Sequence, residues 1–129
     1  MSKKNPLNFF KHSDEFVLYK AGQQVFVEGQ LGDEMFVIKT GQVQLLAGNV
    51  ILETVGPGGI MGEMAIITEN EKRSATAQAV ADSELVPINR EKFRFLIQQT
   101  PDFALEVMKI LAHRLRQMDK RHTHIFRNA

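Results

Sequence analysis

The run EFVLYKAGQQVFVEGQLGDEMFVIKTGQVQLLAGNVILETVGPGG, from Glu15 to Gly59, decides the fold. Short β-branched and aromatic runs are separated in it, at close and regular spacing, by breaks that contain glycine. Several short strands joined by tight turns read this way, so the stretch predicts an all-β roll or barrel. Met35-Phe36-Val37-Ile38 and Val43-Gln44-Leu45 fit strands enclosed within a small roll, with Lys39-Thr40-Gly41-Gln42 as the turn between them. Alternation at Val25-Phe26-Val27 is weak. Pro57, with Gly56, Gly58 and Gly59, ends the run. All nine glycines lie between Gly22 and Gly62, so strands come first and helices last.

Beyond Pro87 the pattern changes. Asn89 suits the cap of a helix over Arg90 to Gln98, and Thr100-Pro101 supplies a second start with proline at the first helical position. A helix from Asp102 to Ile125 would measure about 36 Å, more than one small roll covers. Along it Ala104, Met108, Leu111, Leu115, Met118, His122 and Ile125 recur at alternating spacings of four and three, a heptad seam. Phe103, Val107 and Ile110 form a second face for packing on the roll, which leaves the seam for a partner. The expectation is a homodimer through residues 102–125. Asn5 to Lys11 predicts a short N-terminal helix. Residues 1–129 then form a single domain, with that helix in 1–13, the roll in 14–88 and the C-terminal helices in 89–125.

A length of 129 residues bounds one domain, and 43% hydrophobic with 24% charged residues excludes disordered and collagen-like chains. The absence of cysteine excludes disulfide frameworks, thiolate metal sites and thiol nucleophiles. The apolar runs are short and the start MSKKNPLNFFKHSDEF is too polar for a signal peptide, so a soluble cytoplasmic protein with no membrane contact is expected. The net charge of +1 hides an asymmetry. Between Lys109 and Ala129 six Lys or Arg face Asp119 alone, so this stretch carries +5 and the remainder −4. A basic nucleic-acid module using Arg114, Arg116, Lys120 and Arg121 is poorly supported, because no aromatics interleave with them for stacking.

The chemistry lies in Gly62 to Thr76, GEMAIITENEKRSAT. A glycine after a strand presents the carboxylate of Glu63, about one turn of helix follows, and the chain returns through Arg73 to a strand of small residues. Gly62 permits a tight backbone approach, and the amides of Met64 and Ala65 at a helix start favour an anion. A planar guanidinium at Arg73 can grip two phosphate oxygens, Glu63 suits a ribose hydroxyl donor, and Ser74 adds a hydroxyl. Ala75, Ala77 and Ala79 alternate along the strand and keep one face low enough for a ligand. Such a loop can hold a phosphorylated sugar.

These residues resemble the phosphate-binding cassette of cyclic nucleotide-binding domains, as in catabolite activator proteins, kinase A regulatory subunits and nucleotide-gated channels. Gly62, Glu63, Ala65, Arg73, Ser74 and Ala75 match its pattern, and Gly32 to Val43, GDEMFVIKTGQV, is similar to the family's second signature. The likeness covers roughly residues 14 to 125. It implies a mainly β fold, an eight-stranded β-roll of jelly-roll type, with a short N-terminal helix, a short helix in the cassette and two C-terminal helices. It implies a regulatory sensor of a 3′,5′-cyclic purine nucleotide rather than an enzyme, with no cofactor, no metal and an unidentified output protein. Arg73 and the cassette amides would pair with the cyclic phosphate, and Glu63 with the ribose 2′-hydroxyl. Family members that read DNA continue into a winged helix-turn-helix, and the chain stops at Ala129, so direct sequence-specific DNA binding is not expected.

Where cAMP-activated bacterial members offer Thr and Ser to the base, the corresponding positions are Met118 and Asp119. An ionised Asp119 accepts from the donor edge of guanine or the amine of adenine. Ser74 stands where cGMP-selective relatives often carry Thr, which favours cAMP over cGMP. Two alternatives stay open at this stage. One is a degenerate β-roll, an interaction or dimerisation module that no longer binds nucleotide and in which Glu63 and Arg73 are merely a surface ion pair; the other is a cupin-like metalloenzyme. Against the second, His12 precedes the roll and His113, His122 and His124 follow it, so no strand offers a histidine ligand.

Overall fold

The computed structural model describes Phe10, residues 14–69 and residues 72–127, with 120–127 through their backbone alone. Eight strands run in the order β1 (Val17–Tyr19), β2 (Gln24–Phe26), β3 (Glu34–Thr40), β4 (Val43–Ala47), β5 (Val50–Val55), β6 (Ile60–Met61), β7 (Thr76–Ala79) and β8 (Ser83–Asn89). A one-turn helix, α1 (Met64–Ile67), follows β6, and α2 (Arg90–Gln99) and α3 (Pro101–Arg127) close the chain. The strands form two four-stranded antiparallel sheets, ordered β1-β8-β3-β6 and β2-β7-β4-β5. This is the eight-stranded roll that the family resemblance implies. The expected N-terminal helix over Asn5 to Lys11 lies outside the described residues, apart from Phe10.

The β3 strand shows why simple alternation was hard to read. Met35, Phe36, Val37 and Ile38 are all buried, but to opposite sides. Met35 and Val37 join Ile60, Ile66, Val86, Ile88, Phe103 and Val107 in a cluster beneath the helices. Phe36 and Ile38 join Val43, Val55, Met61, Ala77 and Leu85 in a second cluster between the sheets. A strand with apolar packing on both faces carries a continuous apolar run.

The helices begin where their caps stand. The Asn89 side chain accepts from the Lys92 amide at 2.8 Å, and Thr100 closes α2 through its amide to the Leu96 carbonyl. Proline at the head of α3 supplies no amide and needs none there. Phe103 and Val107 are each 2% exposed, with Ile110 packed beside them, which is the roll-facing side that the sequence assigns. Of the heptad positions, Met108, Leu115 and Met118 are 57%, 59% and 63% exposed. Leu111 instead packs on the helix-side cluster, because it lies next to Ile110 on the inner face. The side chains of His122 and Ile125 lie outside the described residues.

Candidate functional site

The site is built where β6 ends. Gly62 adopts φ +76°, a conformation that a side chain makes costly, and a Cβ there would stand 2.7 Å from Arg73 Nη1. At Gly32 a Cβ would fall 2.2 Å from Arg73 Cζ. The guanidinium of Arg73 therefore occupies a slot between two glycines that are thirty residues apart in sequence. Its floor is the ring of Phe26, with Cζ 4.2 Å from the centroid, and that ring stacks on Phe36. Nη2 donates to the Glu34 carbonyl at 2.8 Å and Nη1 to the Gly62 carbonyl at 3.3 Å. The Arg73 backbone is pinned as well: its amide donates to Gln30 at 2.7 Å and its carbonyl accepts from Gly29 at 2.8 Å.

The two sequence signatures, around Gly32 and around Gly62, are the two walls of one slot. Burial there lowers the Arg73 pKa from its ordinary value, and the nearby charges of Asp33, Glu34 and Glu63 oppose that shift. An arginine remains charged through any such change near neutrality.

Glu63 is 6% exposed and does not pair with Arg73. Its Oε1 accepts from Nη1 of Arg114 on α3. The same guanidinium reaches Glu53 on β5, Nε to Oε1 at 2.8 Å and Nη2 to Oε2 at 3.3 Å, and donates to the Ile60 carbonyl at 2.5 Å. Arg114 thus joins α3 to β5, to β6 and to the head of the cassette. In the sequence Arg114 stands only as part of the basic C-terminal charge and of the poorly supported nucleic-acid module. The signal that could have found it is position: Phe103, Val107, Ile110 and Arg114 follow one another at helical spacing on the face that packs on the roll.

The other expected site residues fall as follows. Ala65 and Ala75 are buried, at 7% and 8% exposure, while Met64 and Ser74 are exposed. The Ala65 amide makes a long turn bond to the Gly62 carbonyl at 3.2 Å, so it is not free as expected, because the chain turns too tightly at Gly62 to leave it open. Ala77 and Ala79 face the roll interior, and Ala77 packs in the inter-sheet cluster. Met118 and Asp119 lie about one helical turn beyond Arg114 on α3 and are exposed. Among the described residues, no group of three or more His, Cys, Asp or Glu side chains is placed to hold a metal ion. No helix among them is long and apolar enough to cross a membrane.

In this antiparallel roll a glycine turn, a buried carboxylate and a slotted arginine lie within one cassette. A family model described as the cyclic nucleotide-binding domain matches residues 16–100, and the chain belongs to that family. It is 37% identical over 107 residues to the cyclic AMP receptor protein of Thermus thermophilus, a match covering 79% of this chain and 49% of the relative. The solved catabolite activator protein of Thermus thermophilus superposes with a TM-score of 0.77 at 30% identity, over 95% of this chain and 60% of that one. A structure described under a cyclic-GMP-dependent signalling pathway in bacterial phytopathogenesis matches with a TM-score of 0.66 at 28% identity, over 96% of both chains. The chain spans about half the length of the curated relative.

Proposed function

We propose that residues 1–129 act as one regulatory domain that binds a 3′,5′-cyclic purine nucleotide, cAMP in preference to cGMP, and signals through α3. The observation that carries this reading is the Arg73 guanidinium, held between Gly32 and Gly62 over Phe26. Its bonds to the Glu34 and Gly62 carbonyls leave further N–H donors of the fork for two exocyclic phosphate oxygens. Gly62, Met64, Ala65, Ser74 and Ala75 would close around the phosphate, and Glu63 would accept from the ribose 2′-hydroxyl. Met118 and Asp119 would meet the base. The preference for cAMP rests on Ser74, since Asp119 could accept from either base. The cyclic AMP receptor protein similarity favours the same nucleotide.

The role is regulatory rather than catalytic, in the cytoplasm, with an output partner that reads the state of α3. A second copy of the chain would cover Met108, Leu115 and Met118, an exposed apolar strip on a helix that also carries the proposed base contacts. Removing the Arg73 guanidinium would leave a bound phosphate without its charged partner, so Arg73→Ala should weaken cAMP binding by about 2–5 kcal/mol. Equilibrium dialysis of the purified variant measures this, and an affinity equal to the parent's would rule the assignment out.

A further inference from the structure

Arg90 and Arg114 each pair with a glutamate, and Arg73 does not: among the described residues it makes no ion pair. The groups that accept from its guanidinium are two backbone carbonyls, those of Glu34 and Gly62. Burial disfavours its charge, and the group that covers the face of the cation is the Phe26 ring. The negative face of an aromatic ring attracts a cation, and more strongly where water is excluded. The ring is itself aimed and braced. The pairing of β2 with β7 shifts register between Gln24 and Phe26, an irregularity of the kind that redirects a side chain, and the residue opposite Phe26 is the small Ala77. Phe26 stacks on Phe36 of the other sheet, with centroids 6.2 Å apart and planes at 28°. Phe36 is buried and meets Tyr19 edge to face at 6.4 Å. A Cβ at Gly62 would stand 3.2 Å from Phe26 Cε2, so the glycine turn leaves room for the ring as well as for the guanidinium.

From this geometry we infer that Phe26 is a positioning residue of the ligand site: its ring fixes the Arg73 cation between Gly32 and Gly62 and leaves the charge free for an anion. The inference rests on the nucleotide reading above. A carboxylate in place of the ring would also hold the guanidinium, but it would occupy the N–H donors and cancel the charge that a phosphate needs. An aliphatic side chain of similar volume would fill the space and offer the cation no electrostatic attraction. The ring does neither, since it meets the guanidinium by its face and leaves the edge of the fork open. Arg73 is thus ordered before a ligand arrives, and binding loses less side-chain entropy.

Phe26→Leu and Phe26→Tyr, each in the whole chain, test this by two readings. The first needs no ligand. In the parent the Arg73 Nε–H proton, held against an aromatic face, should resonate in the NMR spectrum upfield of the ordinary arginine range, and its loss in Arg73→Lys assigns it. Phe26→Tyr should keep that shift and Phe26→Leu should lose it. The second reading is cAMP affinity by equilibrium dialysis, which Phe26→Leu should weaken about tenfold while Phe26→Tyr stays within about threefold of the parent. A ring that only filled space would lower the thermal midpoint when cut to leucine and leave the Arg73 resonance where it was. An Arg73 proton in the ordinary range in the parent overturns the inference. So does Phe26→Leu binding as tightly as the parent, or Phe26→Tyr losing as much as Phe26→Leu. If Phe26→Leu does not fold, Phe26→Met takes its place under the same criteria. If the parent itself binds no nucleotide, the functional reading fails, and the ligand-free resonance still decides whether Phe26 holds the arginine.

Discussion

Arg73 and Arg114 count alike in any charge tally, yet they do different work. Arg73 is recognisable from its distance to Gly62 and Ala75 along the chain, although Phe26, Gly32 and Glu34 complete its slot from far upstream. Arg114 was not legible, since its carboxylate partners, Glu53 and Glu63, lie 61 and 51 residues away. Replacing it by glutamine leaves Glu63 buried without its cation, so Arg114→Gln should cost about 3–5 kcal/mol of stability, measured by urea unfolding. A loss well below about 1 kcal/mol would show that Glu63 finds another partner. Tyr19 offers a second test, for it is the sole tyrosine in a chain without tryptophan. Burial first, and the charge of Glu34 second, raise its pKa from the ordinary 10.0. Folding thus favours the protonated phenol, so its contribution to stability is full below the unfolded pKa and is lost as pH rises through the folded one. Tyrosinate absorbance should appear at higher pH in the folded protein than in urea; coincident curves would contradict the burial argument.

Among the elements, α2 and α3 were the most legible, because Asn89 and Thr100-Pro101 punctuate them and their caps form as the side chains demand. The strands were legible as strands, but not the face each residue takes, since β3 and β8 bury residues on both sides and hide the period of two. The inner face of α3 was read from Phe103, Val107 and Ile110, and Leu111, assigned to the outer seam, packs instead on the helix-side cluster because the apolar stripe of a core-facing helix is wider than a two-position seam. Phe103 meets Phe10 and Phe93 edge to face, at 6.2 and 5.5 Å. Its truncation to alanine should cost about 3–5 kcal/mol by the cavity it leaves, and a thermal melt unchanged from the parent would show that α3 is not held there. The outer strip makes a separate claim. Leu115→Glu puts a charge into the proposed seam between two copies, so light scattering should report monomers, and cAMP binding should weaken with it. A monomer that binds as tightly as the parent would separate dimerisation from ligand binding.

At the scale of the whole molecule, the two clusters divide the work. The inter-sheet cluster shapes the roll and places Phe26 beneath Arg73, and the helix-side cluster binds α1, α2 and α3 to the sheet that carries β6. Arg114, from α3, and Arg90, from the start of α2, cross between these layers at either end of α1. The segregation of glycine before Gly62 made the division into roll and helices readable from the sequence. The crossings were not readable, because each joins residues that only the folded roll brings together. The most direct measurement of the central claim is a calorimetric titration of the unmodified chain with cAMP and with cGMP under the same conditions. Saturable binding of cAMP with about one nucleotide per chain, tighter than cGMP, is the expected result. Absence of saturable heat with both nucleotides, at protein concentrations where the chain is folded, would contradict it.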